Sequence, residues 1–224
     1  MKVREVLKIL EKTGAVITNS HIVYASGKHG SIYINKDAIF PHTKEISSLC
    51  RAIAELFVDD KIEGVIAPAI SGVILSQWIA YYLSEITGHE VLSVYAEKQK
   101  IEVRFSSIGG FIIKRGYDKF VADKRILVVD DVLTTGNSVK EVIEAVRAVR
   151  GNVVGLGALV NRGDVTPNNI DAPKLISLIN LKLNTYNEAD CPLCAQSIPI
   201  NTDVGHCKEY LERKKAFKDN FFSG

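Results

Sequence analysis

Two kinds of apolar pattern alternate along the chain. Val3, Val6, Leu7 and Leu10 fall on one helix face with charges between them, and Ile46, Leu49, Cys50, Ile53, Ala54 and Phe57 do the same within Thr43 to Val58. Between such stretches lie short, mostly apolar runs that predict buried strands: Gly64 to Ala67, Val91 to Tyr95, Ile126 to Asp130 and Val153 to Val160, with Leu175 to Ile179 as a further candidate. Ser71 to Glu85 predicts a helix capped by Ser71. Val139 to Arg150 predicts another, stopped by Gly151. Ser26 to Asn35, SGKHGSIYIN, passes from a glycine turn into a short alternating strand.

Strands without a polar side need cover on both faces, so the alternation implies an α/β fold: a mostly parallel sheet with helices on both faces. In such sheets ligands sit where loops leave the carboxyl ends of the strands. That singles out the loops starting near Ala67, Tyr95, Asp130 and Val160. From about Thr185 the alternation gives way to a polar tail, which divides the chain into 1–184 and 185–224.

Composition narrows the function classes. The 224 residues suit one full-sized core, 46% are apolar and 24% charged, and 28 basic against 26 acidic side chains leave a net charge of only +2. This lacks the broad positive field of a nucleic-acid binder, while small anionic substrates need only local charge. The first residues lack the apolar run of a signal peptide, and no stretch is apolar enough for a membrane span. Four cysteines give no disulfide framework, so a soluble protein of the reducing cytoplasm is expected.

The segment richest in chemistry is Ile126 to Ser138, ILVVDDVLTTGNS. Apolar residues carry the chain through the sheet, two carboxylates follow, and a Thr-Thr-Gly-Asn-Ser turn leads into a helix. Unpaired N–H groups at the turn and helix start, with hydroxyls beside them, suit a phosphate, and Gly136 allows close backbone approach. Asp130 and Asp131 would repel that phosphate. They suit sugar hydroxyls, which donate hydrogen bonds, or positive charge developing on a sugar ring.

The whole segment resembles the binding signature for 5-phosphoribosyl-1-pyrophosphate (PRPP) of the type I phosphoribosyltransferases. The resemblance implies that fold with a small N-terminal and C-terminal hood, and transfer of a phosphoribosyl group to a nitrogenous base with loss of pyrophosphate. It implies that Asp130 and Asp131 hold the ribose hydroxyls and that Thr134, Thr135, Gly136, Asn137 and Ser138 cradle the 5-phosphate. Mg2+ would accompany the pyrophosphate, held mainly by substrate oxygens and water. A homodimer is implied as well. APAISG, from Ala67, resembles the family's pyrophosphate loop, with Ala69, Ser71 and Gly72 near the leaving group. YAEK, from Tyr95, resembles the site where orotate-specific members carry an Arg-Lys pair; Lys98 matches, but Glu97 replaces the arginine. In the mobile catalytic loop Lys100 and Arg104 are the candidate substitutes, within a segment that also reads as a solvated hairpin face.

Two segments point to orotate as the base. SGKHGSIYIN resembles the N-terminal segment of orotate phosphoribosyltransferases, which makes Lys28, His29 and Tyr33 base-site candidates. Arg162, in ALVNRGD, stands where those enzymes place an arginine, and a guanidinium fork suits orotate's carboxylate. The resemblance runs from about Thr13 to Asp164. The alternatives are an enzyme for a purine or other base and a non-catalytic PRPP-sensing regulator, the latter without an evident DNA-binding motif. In the tail, Cys191 and Cys194 form a C-x-x-C turn that is a candidate structural zinc pair, with His206 or Cys207 as further ligands; a reduced thiol pair and a redox role are the competing readings.

Overall fold

The computed structural model describes residues 1–24, 26–103, 106–204 and 207–221, without the side chains of 100–103, 106–109 and 216–221. Helix α1 (Val3–Lys12) is followed by four two-residue strands, β1 (Val16–Ile17), β2 (Ile22–Val23), β3 (His29–Gly30) and β4 (Tyr33–Ile34). Then come α2 (Thr43–Glu55), β5 (Gly64–Pro68), α3 (Ser71–Thr87), the long strand β6 (Leu92–Val103), β7 (Ser106–Ile112) and the single turn α4 (Asp118–Val121). β8 (Arg125–Leu133), α5 (Asn137–Ala148), β9 (Asn152–Asn161), α6 (Pro167–Ile170) and β10 (Leu175–Asn180) lead to the tail, which holds α7 (Pro192–Ala195) and α8 (Cys207–Phe221). Among the described residues no helix is long and apolar enough to cross a membrane.

Contacts divide the chain into two compact units, Met1–Ile9 with Phe40–Lys182, and Leu10–Ile39 with Leu183–Gly224. The larger is a six-stranded sheet in the order β10-β9-β8-β5-β6-β7, parallel throughout except for the β6–β7 hairpin. The expected α/β architecture is what forms. Period-two alternation sends Ile126 and Val128 of β8 into one cluster with Val139, Val142, Ile143 and Val146 of α5. On the opposite face Gly157 of β9 lies against Ile53 and Phe57, and α2 packs against α3. Fully burying each of these aliphatic side chains contributes about 1.5–3 kcal/mol before entropic costs.

Several boundaries move, for reasons of pairing. β8 runs through Asp130 and Asp131 to Leu133, because Val132 and Leu133 pair with Val160 and Asn161 of β9. β6 extends to Val103 because β7 folds back on it, the hairpin anticipated for that segment. Ser71 is not the cap of α3 but its first helical residue; Ile70 stands at the N-cap and no side chain caps it.

The smaller unit is built differently. β1 pairs with β4 and β2 with β3, each ladder two residues long, and the tail joins them through isolated bridges of His21 with Ile200 and His29 with Tyr186. One of its cores is small: Ile22, Val23 and Cys207 are buried, with Tyr24, Tyr33, Ile200, Val204 and Tyr210 packed around them.

Candidate active site

β8, β5 and β6 are parallel neighbours, so the loops after Leu133 and Pro68 and the stretch of β6 beyond Ala96 lie toward one edge of the larger unit. Asp130 is 9% exposed and Asp131 2%. Their oxygens also organise the backbone: Asp130 Oδ1 accepts from the Asp131 N–H at 3.0 Å, and Asp131 Oδ1 from the Val132 N–H at 2.7 Å. A hollow of about 150 Å³ follows, lined by Asp130 and by Val132 through Val139. All five residues expected to cradle a phosphate, Thr134, Thr135, Gly136, Asn137 and Ser138, line it.

Gly136 has to be glycine twice over. Its φ of +79° lies in the left-handed region, and a Cβ there would come within 2.8 Å of the Ile170 side chain. It stands at the N-cap of α5, whose first residues Asn137, Ser138 and Val139 line the hollow, with Asn137 N–H donating to Thr135 Oγ1 at 3.4 Å. The loop after β9 buttresses the turn. Asn161 clamps that loop, donating to the Val165 carbonyl at 2.8 Å and accepting the Val165 N–H at 3.1 Å. Arg162 N–H donates to the Leu133 carbonyl, and its Nε–H to Thr134 Oγ1 at 2.9 Å. Arg162 therefore lies beside the hollow. Gly163 passes so close to Thr134 that a Cβ would sit 1.6 Å from its carbonyl oxygen.

A second cavity, of about 660 Å³, is lined by Ala69, Ile70, Val73, Ile74, Tyr95, Glu97, Lys98 and Arg115. Ala69 N–H donates to the Ala96 carbonyl at 2.8 Å, tying the loop after β5 to β6. Gly72 lets α3 begin against β5, since a Cβ there would meet the Ala67 Cβ at 2.6 Å. Lys98 lies with its ammonium 5.9 Å from the Phe111 ring centre. Glu97 pairs with Arg115 at 2.6 Å, and the Arg115 guanidinium also lies 5.9 Å from the Tyr95 ring centre. Sequence reading missed Arg115. It supplies a guanidinium beside the position where Glu97 departs from the family pattern, and its only signal was the Lys-Arg-Gly turn after β7.

The Lys100 side chain and the whole of Arg104 lie outside the described residues, as does His206. The base-site candidates Lys28, His29 and Tyr33 belong to the smaller unit. Lys28 is exposed, Tyr33 packs on the Ile22–Val23 cluster, and His29 is fully buried beside His21, Cys191 and Cys194. Burial, and then neighbouring His21, pull the His29 imidazole below its ordinary pKa. Cys50 is a core residue of α2, its thiol raised by burial and chemically inert.

Asp130 and the Thr134–Ser138 turn thus share one hollow at the carboxyl edge of a mostly parallel sheet, the place where ligands of such sheets bind. Residues 36–191 match the family model described as "Phosphoribosyl transferase domain", and the chain belongs to that family. Its relatives narrow the group: it is 38% identical over 200 residues to the orotate phosphoribosyltransferase of Thermoanaerobacter sp., covering 89% of this chain and 96% of that protein. The orotate phosphoribosyltransferase of Caldanaerobacter subterraneus subsp. tengcongensis is 37% identical over 201 residues, again 89% and 96% of the two chains. Among solved structures, the orotate phosphoribosyltransferase of Aeropyrum pernix superposes with a TM-score of 0.61 at 26% identity, over 79% of this chain and 93% of that one.

Proposed function

We propose that the protein transfers the phosphoribosyl group of PRPP to orotate, yielding orotidine 5′-monophosphate and pyrophosphate. The observation that carries this reading is the convergence of Asp130 and the Thr134–Ser138 turn on one hollow, with Asp131 next to Asp130 on β8 and Arg162 bonded to the same turn. Its relatives' names supply the base. The larger unit is then the phosphoribosyltransferase domain, and the smaller its hood.

The 5-phosphate sits in the 134–138 turn, held by N–H groups and hydroxyls at the start of α5. Asp130 and Asp131 accept hydrogen bonds from the ribose hydroxyls, which fixes the anomeric carbon relative to both loops. As the bond to pyrophosphate breaks, its electron pair leaves with the pyrophosphate oxygen and the ring gains positive charge. The two carboxylates stabilise that charge, and an orotate ring nitrogen then forms the new bond as its N–H proton passes to solvent. Backbone groups of Ala69 to Gly72, with Lys98 and Arg115 across the cavity, receive the pyrophosphate. Mg2+ would be held mainly by pyrophosphate oxygens and water and would neutralise phosphate charge, and the hard carboxylate of Asp130 at the hollow suits such an ion. Lys100 and Arg104 are the proposed loop cations.

Pyrophosphate release from PRPP, measured with orotate, uracil, adenine, hypoxanthine, guanine and xanthine offered one at a time, tests the reading. Release with orotate alone is expected. Release with a purine overturns the base, and PRPP binding without release for any base points to a sensor. Two variants separate the cations. Arg162→Ala should raise the KM for orotate by about ten- to a hundredfold, as loss of a charged hydrogen bond to a carboxylate does. Arg115→Ala should raise the KM for PRPP instead. Equal effects of Arg162→Ala on both substrates would make Arg162 a prop of the turn rather than a reader of the base.

A cytoplasmic homodimer completes the proposal. The four cysteines are free thiols, and α3 presents Ile74 and Tyr81 to solvent on one face, next to half-buried Trp78 and preceded by Ile70 at 88% exposure. An apolar stripe of this kind suits a second copy. The Ile74→Lys/Tyr81→Lys double variant should sediment as a monomer where the parent sediments as a dimer; a parent that sediments as a monomer ends this part of the proposal.

A further inference from the structure

Four potential metal ligands that lie far apart in sequence converge in the smaller unit. His21 precedes β2, His29 opens β3, and Cys191 and Cys194 flank and enter α7. Their donor atoms, His21 Nε2, His29 Nδ1 and the two sulfurs, all lie within 4.8 Å of one another. We propose that His21, His29, Cys191 and Cys194 bind one zinc ion and that this ion fastens the tail to the N-terminal hairpin.

The distances fit a tetrahedron. With Zn–S near 2.3 Å and Zn–N near 2.0–2.1 Å, the S···N edges of a tetrahedral site are about 3.6 Å and the N···N edge about 3.4 Å. The contacts here are 3.8 Å from Cys191 Sγ to His21 Nε2, 3.6 Å from Cys194 Sγ to His21 Nε2, and 3.3 Å from Cys194 Sγ to His29 Nδ1. The His21 Nε2 to His29 Nδ1 separation, 2.8 Å, is a hydrogen-bond length, so the two rings must part by about half an ångström when the ion enters. A two-sulfur, two-nitrogen tetrahedron selects zinc over the hard cations.

The surroundings prepare the ligands. His21 Nδ1 lies 2.7 Å from the Ile198 carbonyl, which fixes the proton on Nδ1 and leaves Nε2 unprotonated, able to exchange its contact with His29 Nδ1 for a metal. His29 is held by reciprocal backbone bonds with Tyr186, at 2.8 and 2.9 Å, and its ring stands edge-on to Tyr210. The set is closed: His21, His29 and Cys191 are each 2% exposed or less, and four protein donors leave no position for substrate, as in structural rather than catalytic zinc sites. Cys207, an expected partner of the C-x-x-C turn, is occupied elsewhere: its sulfur accepts the Val23 N–H at 3.1 Å within the small apolar core.

The unit also gains from such a fastening. Its ladders are two residues long, and the core around Ile22, Val23 and Cys207 is small, the situation in which a metal or disulfide often adds the missing stability. The ion would cross-link residues more than 160 positions apart, as the His29–Cys194 and His21–Cys194 contacts show. His29 then serves the hood's architecture, which leaves Lys28 as the basic residue of that hairpin available to a ligand.

The test uses the full chain purified under reducing conditions, its metal content measured by plasma mass spectrometry, and Co2+ titrated into chelator-treated protein. One zinc per chain is expected, with a tetrahedral Co2+ spectrum carrying thiolate charge-transfer bands. Chelation should lower the Tm by roughly 5–10 °C, restored by Zn2+. H29A and C194S should each lose at least about tenfold in zinc affinity, in line with loss of one ligand, while C207A keeps full occupancy. Zinc retained by H29A but lost by C207A would overturn the ligand set. No binding of Zn2+ or Co2+ by the reduced parent chain would overturn the site, as would a Cys191–Cys194 disulfide in place of metal, and the parent-chain titration decides this even if a variant fails to fold.

Discussion

Asp131→Asn should reduce kcat by about a hundred- to a thousandfold while leaving Tm nearly unchanged, the scale on which removing one preorganised electrostatic group acts. The substitution is almost isosteric at a site 2% exposed, and an asparagine Oδ1 can still accept the Val132 N–H that Asp131 Oδ1 now accepts at 2.7 Å. What disappears is one negative charge beside the sugar, where positive charge develops as pyrophosphate departs. If kcat and the KM for PRPP both stay at parental values, the sugar site has been assigned to the wrong residue. A fall in kcat with an equal fall in kcat/KM would mark a contact made in the transition state rather than in the bound substrate.

Gly163→Ala should be damaging for a different reason, since it touches no substrate. Its Cβ would fall 1.6 Å from the Thr134 carbonyl oxygen and 2.5 Å from the carbonyl carbon, both backbone atoms that no rotamer change can move aside. Either the loop after β9 or the phosphate turn must shift. The first route breaks the Arg162 bond to Thr134, and the second spoils the cradle. Overpacking of this kind costs typically 1–3 kcal/mol, so we expect the KM for PRPP to rise by about ten- to a hundredfold, as measured with saturating orotate. Unchanged PRPP kinetics would show that the turn tolerates displacement and that its geometry is not what holds the phosphate. Comparing the two variants separates charge from shape at one site.

Much of this was legible in the chain. The four-residue run Ile126–Val129 could only cross a covered sheet, and ILVVDDVLTTGNS placed the carboxylates, the turn and the helix start in an order that local rules translate directly. The strands at Gly64 and Val153 and the helices at Thr43 and Val139 followed in the same way, because burial on one face of a helix or both faces of a strand writes its period into neighbouring residues.

Strand and helix ends were less legible. β8 persists through Asp130 to Leu133 only because β9 lies beside it to accept and donate the ladder bonds. The same limit hid three features of the sites. Arg115 stands beside Glu97 because β7 folds back along β6; Gly163 meets Thr134 because β9 neighbours β8; and the side chains that meet Cys191 and Cys194 are His21 and His29 rather than Cys207. Local pattern reports which residues seek cover and which loops follow strands, since those are properties of a few consecutive side chains. Which distant side chains then meet is set by strand order and by the closing of the chain's two ends on each other, and the energy that selects those contacts is not carried by any one segment.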